Sequence, residues 1–106
     1  MNIDKLTEKI EEVSKKYTSK FKIKRDDNWY ILKLQEELGE LIQAFLMMKG
    51  QARAKDKTKK ELKADFEAEI ADVLCHVLLL AKNSKVDLEK TIADKWFVYL
   101  EQKSKK

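Results

Sequence analysis

Several residue types are scarce in this sequence, and each scarcity limits what the chain can be. Proline is absent and glycine occurs only twice, so the turns that build sheets are rare. The single cysteine, Cys75, cannot form an intrachain disulfide and fits a reducing compartment. No apolar run approaches the roughly 20 residues of a membrane span, and the first residues lack a signal-peptide core. We therefore expect a cytoplasmic protein with no membrane partner.

The residues that are abundant favour helices. Charged residues make up 40% of the chain and hydrophobic residues 43%, with Leu, Lys, Glu and Ala prominent. At 106 residues, the chain is most simply one domain, 1–106. The net charge of +4 sits largely in a lysine-rich loop and in the tail "KSKK", so it is a weak indication of an anionic partner.

Apolar residues recur every three or four positions in four segments, which predicts four amphipathic helices. The predicted helices span about 4–16, 28–49, 59–83 and 88–102. Asp27 is expected to cap the second helix and Gly50 to end it, and Asp87 is expected to cap the fourth. Thr58 and Glu61 form a capping box at the start of the third helix. The expected fold is an all-α, four-helix bundle-like domain.

The same pattern gives expectations about packing. In the connection after the first helix, Phe21 and Ile23 are expected to point inward. Along the last helix, the expected core residues are Leu88, Ile92, Trp96 and Leu100. The stretch Val73–Ala81 is apolar almost all the way round, which predicts a homodimer or homotetramer with a second subunit against helices two and three. The alternative is a central helix within a monomer.

Acidic residues border the predicted core on two helices. Glu37 and Glu40 lie at the edge of the second helix, Glu69 and Asp72 at the edge of the third, and nothing basic is apparent on the segment "LQEELGELIQAFL" to neutralise them. If the two pairs face each other, each like-charge contact costs roughly 3 kcal/mol at an effective dielectric near 20. Either the acids point away from each other, or a cation lies among them. Carboxylate oxygens suit a hard ion such as Mg²⁺ or Mn²⁺.

Two motifs carry a family resemblance. "EELGE" (Glu36, Glu37, Glu40) is followed after 28 residues by "EIAD" (Glu69, Asp72), and "KVDLEK" opens the last helix. This resembles the Glu-Glu-x-x-Glu … Glu-x-x-Asp signature of the MazG-like, all-α nucleoside triphosphate pyrophosphatases. The resemblance implies a Mg²⁺-dependent enzyme that splits a nucleoside triphosphate into the monophosphate and pyrophosphate. Glu37, Glu40, Glu69 and Asp72 would be metal ligands, and Glu36 would orient or deprotonate the attacking water.

Four further residues are candidates for binding the substrate. Arg53 and Lys55 lie in the loop between the acid motifs and can close over a triphosphate, or belong to a solvated charge run. His76, one turn after Asp72, can face the nucleobase or a phosphate, or be a core-edge histidine. Lys95 matches a last-helix lysine of the family, although Val98 and Tyr99 stand where its asparagine is expected and no proline follows.

The leading hypothesis is therefore a nucleoside triphosphate pyrophosphohydrolase that removes unwanted or excess nucleotides. An alternative within the superfamily is a phosphoribosyl-ATP pyrophosphohydrolase. A third is a non-catalytic helical module that binds nucleic acid through "RAKDKTKK" and the basic tail. We do not expect this third function, because acids beside a phosphate-backbone site would repel it.

Overall fold

A computed structural model describes residues 2–100 of the chain. Within that range the chain forms helices joined by loops. Within that range no strand forms, and the prediction of an all-α fold with four helices is confirmed. The helices are α1 (Ile3–Lys20), α2 (Asp27–Met48), α3 (Lys59–Asn83) and α4 (Leu88–Ile92), the last continuing into a π-helical turn (Ala93–Phe97). Residues 101 and 102 of the predicted fourth helix lie outside the described range. None of these helices combines the length and apolarity that crossing a membrane requires.

Side chains at the N-terminal ends start each helix by accepting a hydrogen bond from a free backbone N–H. The capping box at Thr58 and Glu61 is present with both of its hydrogen bonds, as predicted. Asp87 caps α4, also as predicted. The cap of α2 is Asp26 rather than Asp27, because the Asp26 carboxylate accepts from the Trp29 N–H at 2.9 Å. Asp27 is instead the first residue of the helix and accepts a hydrogen bond from Asn83 at 3.0 Å.

The C-terminal ends of α1, α2 and α3 share one arrangement, the Schellman motif. In each, a residue with positive φ follows the helix, and the next N–H donates back to a carbonyl five residues earlier. The positive-φ residues are Lys22 (55°), Gly50 (76°) and Lys85 (59°). Glycine adopts this conformation freely, whereas lysine adopts it at a cost. The predicted stop at Gly50 is confirmed, with α2 ending at Met48.

The first helix is longer than predicted, and the residues after it are less buried. It ends at Lys20 rather than at 16, where Lys22 adopts a positive φ and the Ile23 N–H donates to the Thr18 carbonyl. The Thr18 side chain is buried, and its hydroxyl donates to the Ser14 carbonyl at 2.9 Å. The prediction that Phe21 and Ile23 pack inward is wrong for the single chain: their exposed fractions are 56% and 37%. The tight turn at the helix end directs both outward.

The core lies mainly between α2 and α3, which pack antiparallel. Trp29 near the start of α2 contacts His76 late in α3, and Phe45 near the end of α2 contacts Phe66 early in α3. α1 lies across the C-terminal part of α3, where Leu78 and Leu79 are 2% and 3% exposed. Part of the all-round apolar stretch of α3 is therefore covered within the chain itself.

Arg25 holds the connection between α1 and α2 in place. Its guanidinium donates two hydrogen bonds to the Glu11 carboxylate, at 2.6 and 3.2 Å, and a third to the Ser14 hydroxyl. Both partners of the ion pair are largely buried. The hydrogen bond from Arg25 lowers the pKa of Glu11, although burial acts in the opposite direction. This contact fixes α1 beside the start of α2.

The last helix makes no extended contact with α2 or α3. The prediction that its apolar residues form core is wrong for the single chain, because Ile92, Trp96 and Leu100 are 39%, 63% and 66% exposed and Leu88 is half-buried. The radius of gyration, 17.4 Å, agrees with an extended arrangement. A compact domain of this length would have a radius near 13 Å.

A second apolar surface on α2 and α3 is also uncovered. We call it the αα face: Ile31, Leu38, Ile42, Phe45, Ile70 and Leu74, each between 40% and 52% exposed. Three residues of this face each come two positions after an acid of the motifs: Leu38 after Glu36, Ile42 after Glu40, and Leu74 after Asp72. Two positions correspond to about 200° around a helix. The αα face and the acids therefore lie on opposite sides of the α2–α3 pair.

Candidate active site

The antiparallel packing of α2 and α3 brings both acid motifs together. Glu36, Glu37 and Glu40 each offer a carboxylate oxygen within 4.8 Å of the others. Glu37, Glu69 and Asp72 do the same across the two helices. Glu37 belongs to both groups, so the five acids form one continuous acid cluster. The acids therefore do not point away from each other, which was one of the two arrangements that the sequence left open.

Glu37 occupies the centre of the cluster and is the most buried of its members, at 7% exposed. Burial, followed by the neighbouring charge of Glu40, raises its pKa from 4.5 to about 7, although Lys33 acts in the opposite direction. Burial and repulsion from Glu40 and Asp72 also raise the pKa of Glu69. Near neutral pH, the cluster therefore holds negative charge at an appreciable cost in free energy.

A lysine next to the first motif also faces the acids, contrary to the expectation that nothing basic neutralises them. The ammonium of Lys33 donates a hydrogen bond to Glu36 at 3.0 Å and lies 3.9 Å from Glu37. The sequence contains the signal for this contact, because residues three and four positions apart share a helix face. One lysine offsets only part of the charge of five acids.

One oxygen of Glu69 bears on whether the acid cluster suits a cation. Its Oε2 atom is buried, and no hydrogen-bond partner for it lies among residues 2–100. Buried polar atoms without a partner are rare, and an ion is one of the few explanations. The donor set consists of carboxylate oxygens alone, which fits Mg²⁺ or Mn²⁺ rather than zinc. The residues present therefore fit the predicted metal.

A largely apolar cavity of about 410 Å³ opens beside Glu37, which we call the His76 cavity. Its walls include Trp29, Lys33 and His76, together with the exposed apolar side of α1. The ring of Trp29 stands edge-on to that of His76, with centroids 6.1 Å apart. Burial lowers the pKa of His76, which favours the neutral imidazole, and its buried Nδ1 has no partner within residues 2–100.

A second, more polar cavity lies on the other side of the cluster, which we call the Lys57 cavity. It also measures about 410 Å³, and its walls include Glu40, Gln43, Lys57, Asp65 and Glu69. Lys33 in the first cavity and Gln43 in the second are ten residues apart on α2. At 1.5 Å per residue this is about 15 Å along the helix.

Three predicted substrate-binding residues are not brought to the acids. Arg53 and Lys55 are exposed in the loop before α3 and line neither cavity. Lys95 is exposed in the π-helical turn after α4, which makes no extended contact with α2 or α3. Their roles stay predictions, whereas the position of His76 beside the cluster agrees with a role at this site. Lys33 and Lys57 are the basic residues that sequence reasoning missed.

Comparison with known proteins adds no relative: the chain matches no family model, no curated protein and no solved structure. The resemblance to the all-α pyrophosphatases therefore rests on the two acid motifs.

Proposed function

We propose that the protein is a Mg²⁺-dependent nucleoside triphosphate pyrophosphohydrolase, which hydrolyses its substrate to the monophosphate and pyrophosphate. The observation that supports this most strongly is the acid cluster, in which two motifs from different helices share the buried Glu37. The unpartnered Oε2 of Glu69 supports a cation there. The choice of the bond that is cleaved comes from the motif resemblance.

Each acid has a distinct part in the proposed reaction. Glu37, Glu40, Glu69 and Asp72 would hold the metal, which when bound neutralises charge on the phosphates. Glu36 is exposed beside the cluster, so a water there can reach its carboxylate and transfer a proton to it, while the hydrogen bond from Lys33 holds the carboxylate in position. Lys33 restrains the position of Glu36, and its ammonium remains available to a phosphate oxygen.

The His76 cavity is the proposed site of the nucleobase. Its volume is within the usual range of small-molecule sites, roughly 300–1,000 Å³, and its apolar walls suit an aromatic ring. A neutral imidazole offers one hydrogen-bond donor and one acceptor, which match the edge of a base better than a phosphate. Trp29 provides an aromatic surface next to it. These features favour the nucleobase over a phosphate as the partner of His76.

Product identification tests the function directly. The protein is incubated with each nucleoside triphosphate and deoxynucleoside triphosphate, and with phosphoribosyl-ATP, in the presence of Mg²⁺. Anion-exchange chromatography should show equal amounts of monophosphate and pyrophosphate, and EDTA should stop their formation. Diphosphate and phosphate as the first products would contradict the assigned reaction. Salt-sensitive binding of nucleic acid with no turnover would favour the non-catalytic module instead.

Replacement of Asp72 by asparagine should abolish most of the activity while the protein stays folded. Asp72→Asn removes the charge of a proposed metal ligand and also reduces repulsion within the cluster. Replacing a residue that only hydrogen-bonds to a metal ligand typically lowers activity by about 10–100-fold. Because Asp72 would be a ligand itself, the rate should fall by more than this. Glu67→Gln, an exposed acid of the same helix outside the cluster, is the matched control and should stay active. Full activity of Asp72→Asn would place the reaction elsewhere.

We also propose that two copies of the chain form a homodimer through the αα face. Full burial of an Ile, Leu or Phe side chain contributes about 1.5–3 kcal/mol, so covering the exposed half of six such residues is worth roughly 5–9 kcal/mol per copy. For two copies this gain in free energy doubles, so it is comparable with or larger than the estimated 4–15 kcal/mol cost of association. Because the αα face lies opposite the acids, each copy would keep its cluster open to substrate. A homotetramer would need a further surface, such as the exposed side of α4.

A further inference from the structure

Ser14 on α1 lines the His76 cavity and carries a hydroxyl group that is held from one side. Its Oγ atom accepts a hydrogen bond from the Arg25 guanidinium at 3.1 Å. Two hydrogen bonds to the Glu11 carboxylate hold that guanidinium in turn. Arg25 itself does not line the cavity, so the Ser14 side chain lies between a fixed cation and the open space.

The proton of the Ser14 hydroxyl is not used by the helix. The two threonines of α1 show the usual alternative, since the hydroxyls of Thr7 and Thr18 donate to the carbonyl four residues earlier, at 2.7 and 2.9 Å. Ser14 donates no such hydrogen bond within residues 2–100. A hydroxyl has a single donor proton, and the N–H from Arg25 repels it, so the proton turns away from the guanidinium and towards the cavity. The positive charge also polarises the O–H bond and makes it a stronger donor.

We propose that the Ser14 hydroxyl donates to an exocyclic carbonyl oxygen of the bound nucleobase, an inference that rests on the proposed hydrolysis of nucleoside triphosphates. A base that enters the cavity from the acid cluster has its sugar on the side of the acids and its far edge towards α1. At that edge uracil, thymine, guanine and hypoxanthine carry a carbonyl group, whereas cytosine and adenine carry an amino group. The proposed substrates are the nucleotides of the four carbonyl bases.

The hydrogen bond from Arg25 is the source of this selectivity. A serine with no fixed partner rotates to serve as donor or acceptor, so it tolerates carbonyl and amino groups alike. Here one lone pair of the Ser14 oxygen is occupied and the proton faces the base, so an amino group would set its own N–H against the O–H donor. Such a complex leaves a donor unpaired, which costs more than a hydrogen bond contributes. Phosphoribosyl-ATP, whose base is an adenine, would therefore be a poor substrate.

Calorimetric titration with two pairs of nucleoside monophosphates in the presence of Mg²⁺ tests the proposal without relying on turnover. UMP and CMP form one pair, IMP and AMP the other, and within each pair a carbonyl group replaces an amino group. The wild type should bind the carbonyl member of at least one pair more tightly by about 5-fold or more, the usual effect of an unpaired buried donor. Ser14→Ala should bring that ratio close to one, mainly by weakening the binding of the carbonyl member.

Ser19→Ala is the matched control, since Ser19 is exposed on the same helix and lines none of the cavities described. It should keep the ratio of the wild type, and circular dichroism should show that both variants are folded. A Ser14→Ala protein that keeps the ratio, or a loss of the ratio in Ser19→Ala, would overturn the assignment.

The proposal and the function on which it rests fail in different ways. A wild type that hydrolyses triphosphates but prefers adenine or cytosine nucleotides, or discriminates within neither pair, would overturn the role of Ser14 and leave the hydrolase function intact. A wild type that neither hydrolyses any triphosphate nor binds any of the four monophosphates would refute the proposed function itself.

Discussion

The buried carboxyl of Glu37 allows a quantitative test of the electrostatics of the acid cluster. Its pKa is raised from 4.5 to about 7, so the folded protein binds a proton that the unfolded chain releases between these values. The two pKa values differ by about 2.5, which at about 1.36 kcal/mol per pKa unit corresponds to roughly 3 kcal/mol. Because the folded pKa is the higher one, this stability is present below pH 4.5 and is lost as the pH rises through 7.

The variant Glu37→Gln keeps the shape of the side chain and removes its charge. Without metal at pH 8, it should be more stable than the wild type by up to about 3 kcal/mol, a rise in Tm of roughly 13 °C for a domain of this size. The difference should shrink towards zero near pH 4.5. With Mg²⁺ at about 1,000 times Kd the order should reverse, because a metal bound only to the folded wild type stabilises it by about 4.1 kcal/mol, which exceeds the advantage of the variant.

Urea unfolding followed by circular dichroism at one protein concentration, between pH 4.5 and 8, measures both effects. Each protein is measured with EDTA and again with Mg²⁺, and Glu67→Gln serves as the exposed control that should change little under either condition. A Glu37→Gln protein that is less stable than the wild type at pH 8 in EDTA would refute the reasoning. A stabilisation that did not depend on pH would also refute it, since repulsion among ionised carboxylates requires their ionisation.

Two further predictions concern assembly and the helix ends. Ile42→Lys places a charge in the αα face, so light scattering should report the mass of one 12.5 kDa chain where the wild type shows about twice that mass. The control Leu32→Lys, on another side of α2, should leave the dimer intact, and a monomeric wild type would contradict the proposed interface. Lys22→Gly should stabilise the protein by about 0.5–1 kcal/mol in urea unfolding. Glycine removes the strain of a positive φ at this position, and this gain exceeds the cost of the larger conformational entropy that glycine gives the unfolded chain. Lys24→Gly, where φ is not positive, should be neutral or destabilising.

The sequence by itself determined the helices, because the interactions that start and end them act over four or five residues. The capping box at Thr58 and the stop at Gly50 were predicted correctly for this reason. The end of α1 was missed because the residue at the equivalent position is Lys22, which carries no sequence signal for positive φ. The contact between Lys33 and the acids was also within reach of the sequence, since it lies one turn before them.

The acid motifs illustrate what the sequence could indicate and what it could not. Spacing placed Glu37 and Glu40 on one helix edge and Glu69 and Asp72 on another. Only the packing of α2 against α3 decided that these edges meet, that Glu37 is buried between them, and that an oxygen of Glu69 has no partner in the described part of the chain. Burial and repulsion depend on residues that are distant in the chain, so the pKa near 7 follows from the tertiary structure alone.

Tertiary structure also decided which apolar residues are covered and which basic residues lie beside the acid cluster. Hydrophobic periodicity shows that a helix has an apolar side, but it does not show what covers that side. The pattern of α4 therefore predicted core, whereas Trp96 and Leu100 are exposed. Among the lysines of the loop before α3, the sequence pointed to Lys55 as a candidate or as part of a solvated charge run, and the structure places Lys57 beside the cluster instead. The choice between neighbouring lysines depends on the path of the loop, which is set by where α3 begins and by the contact of Lys57 with Asp65.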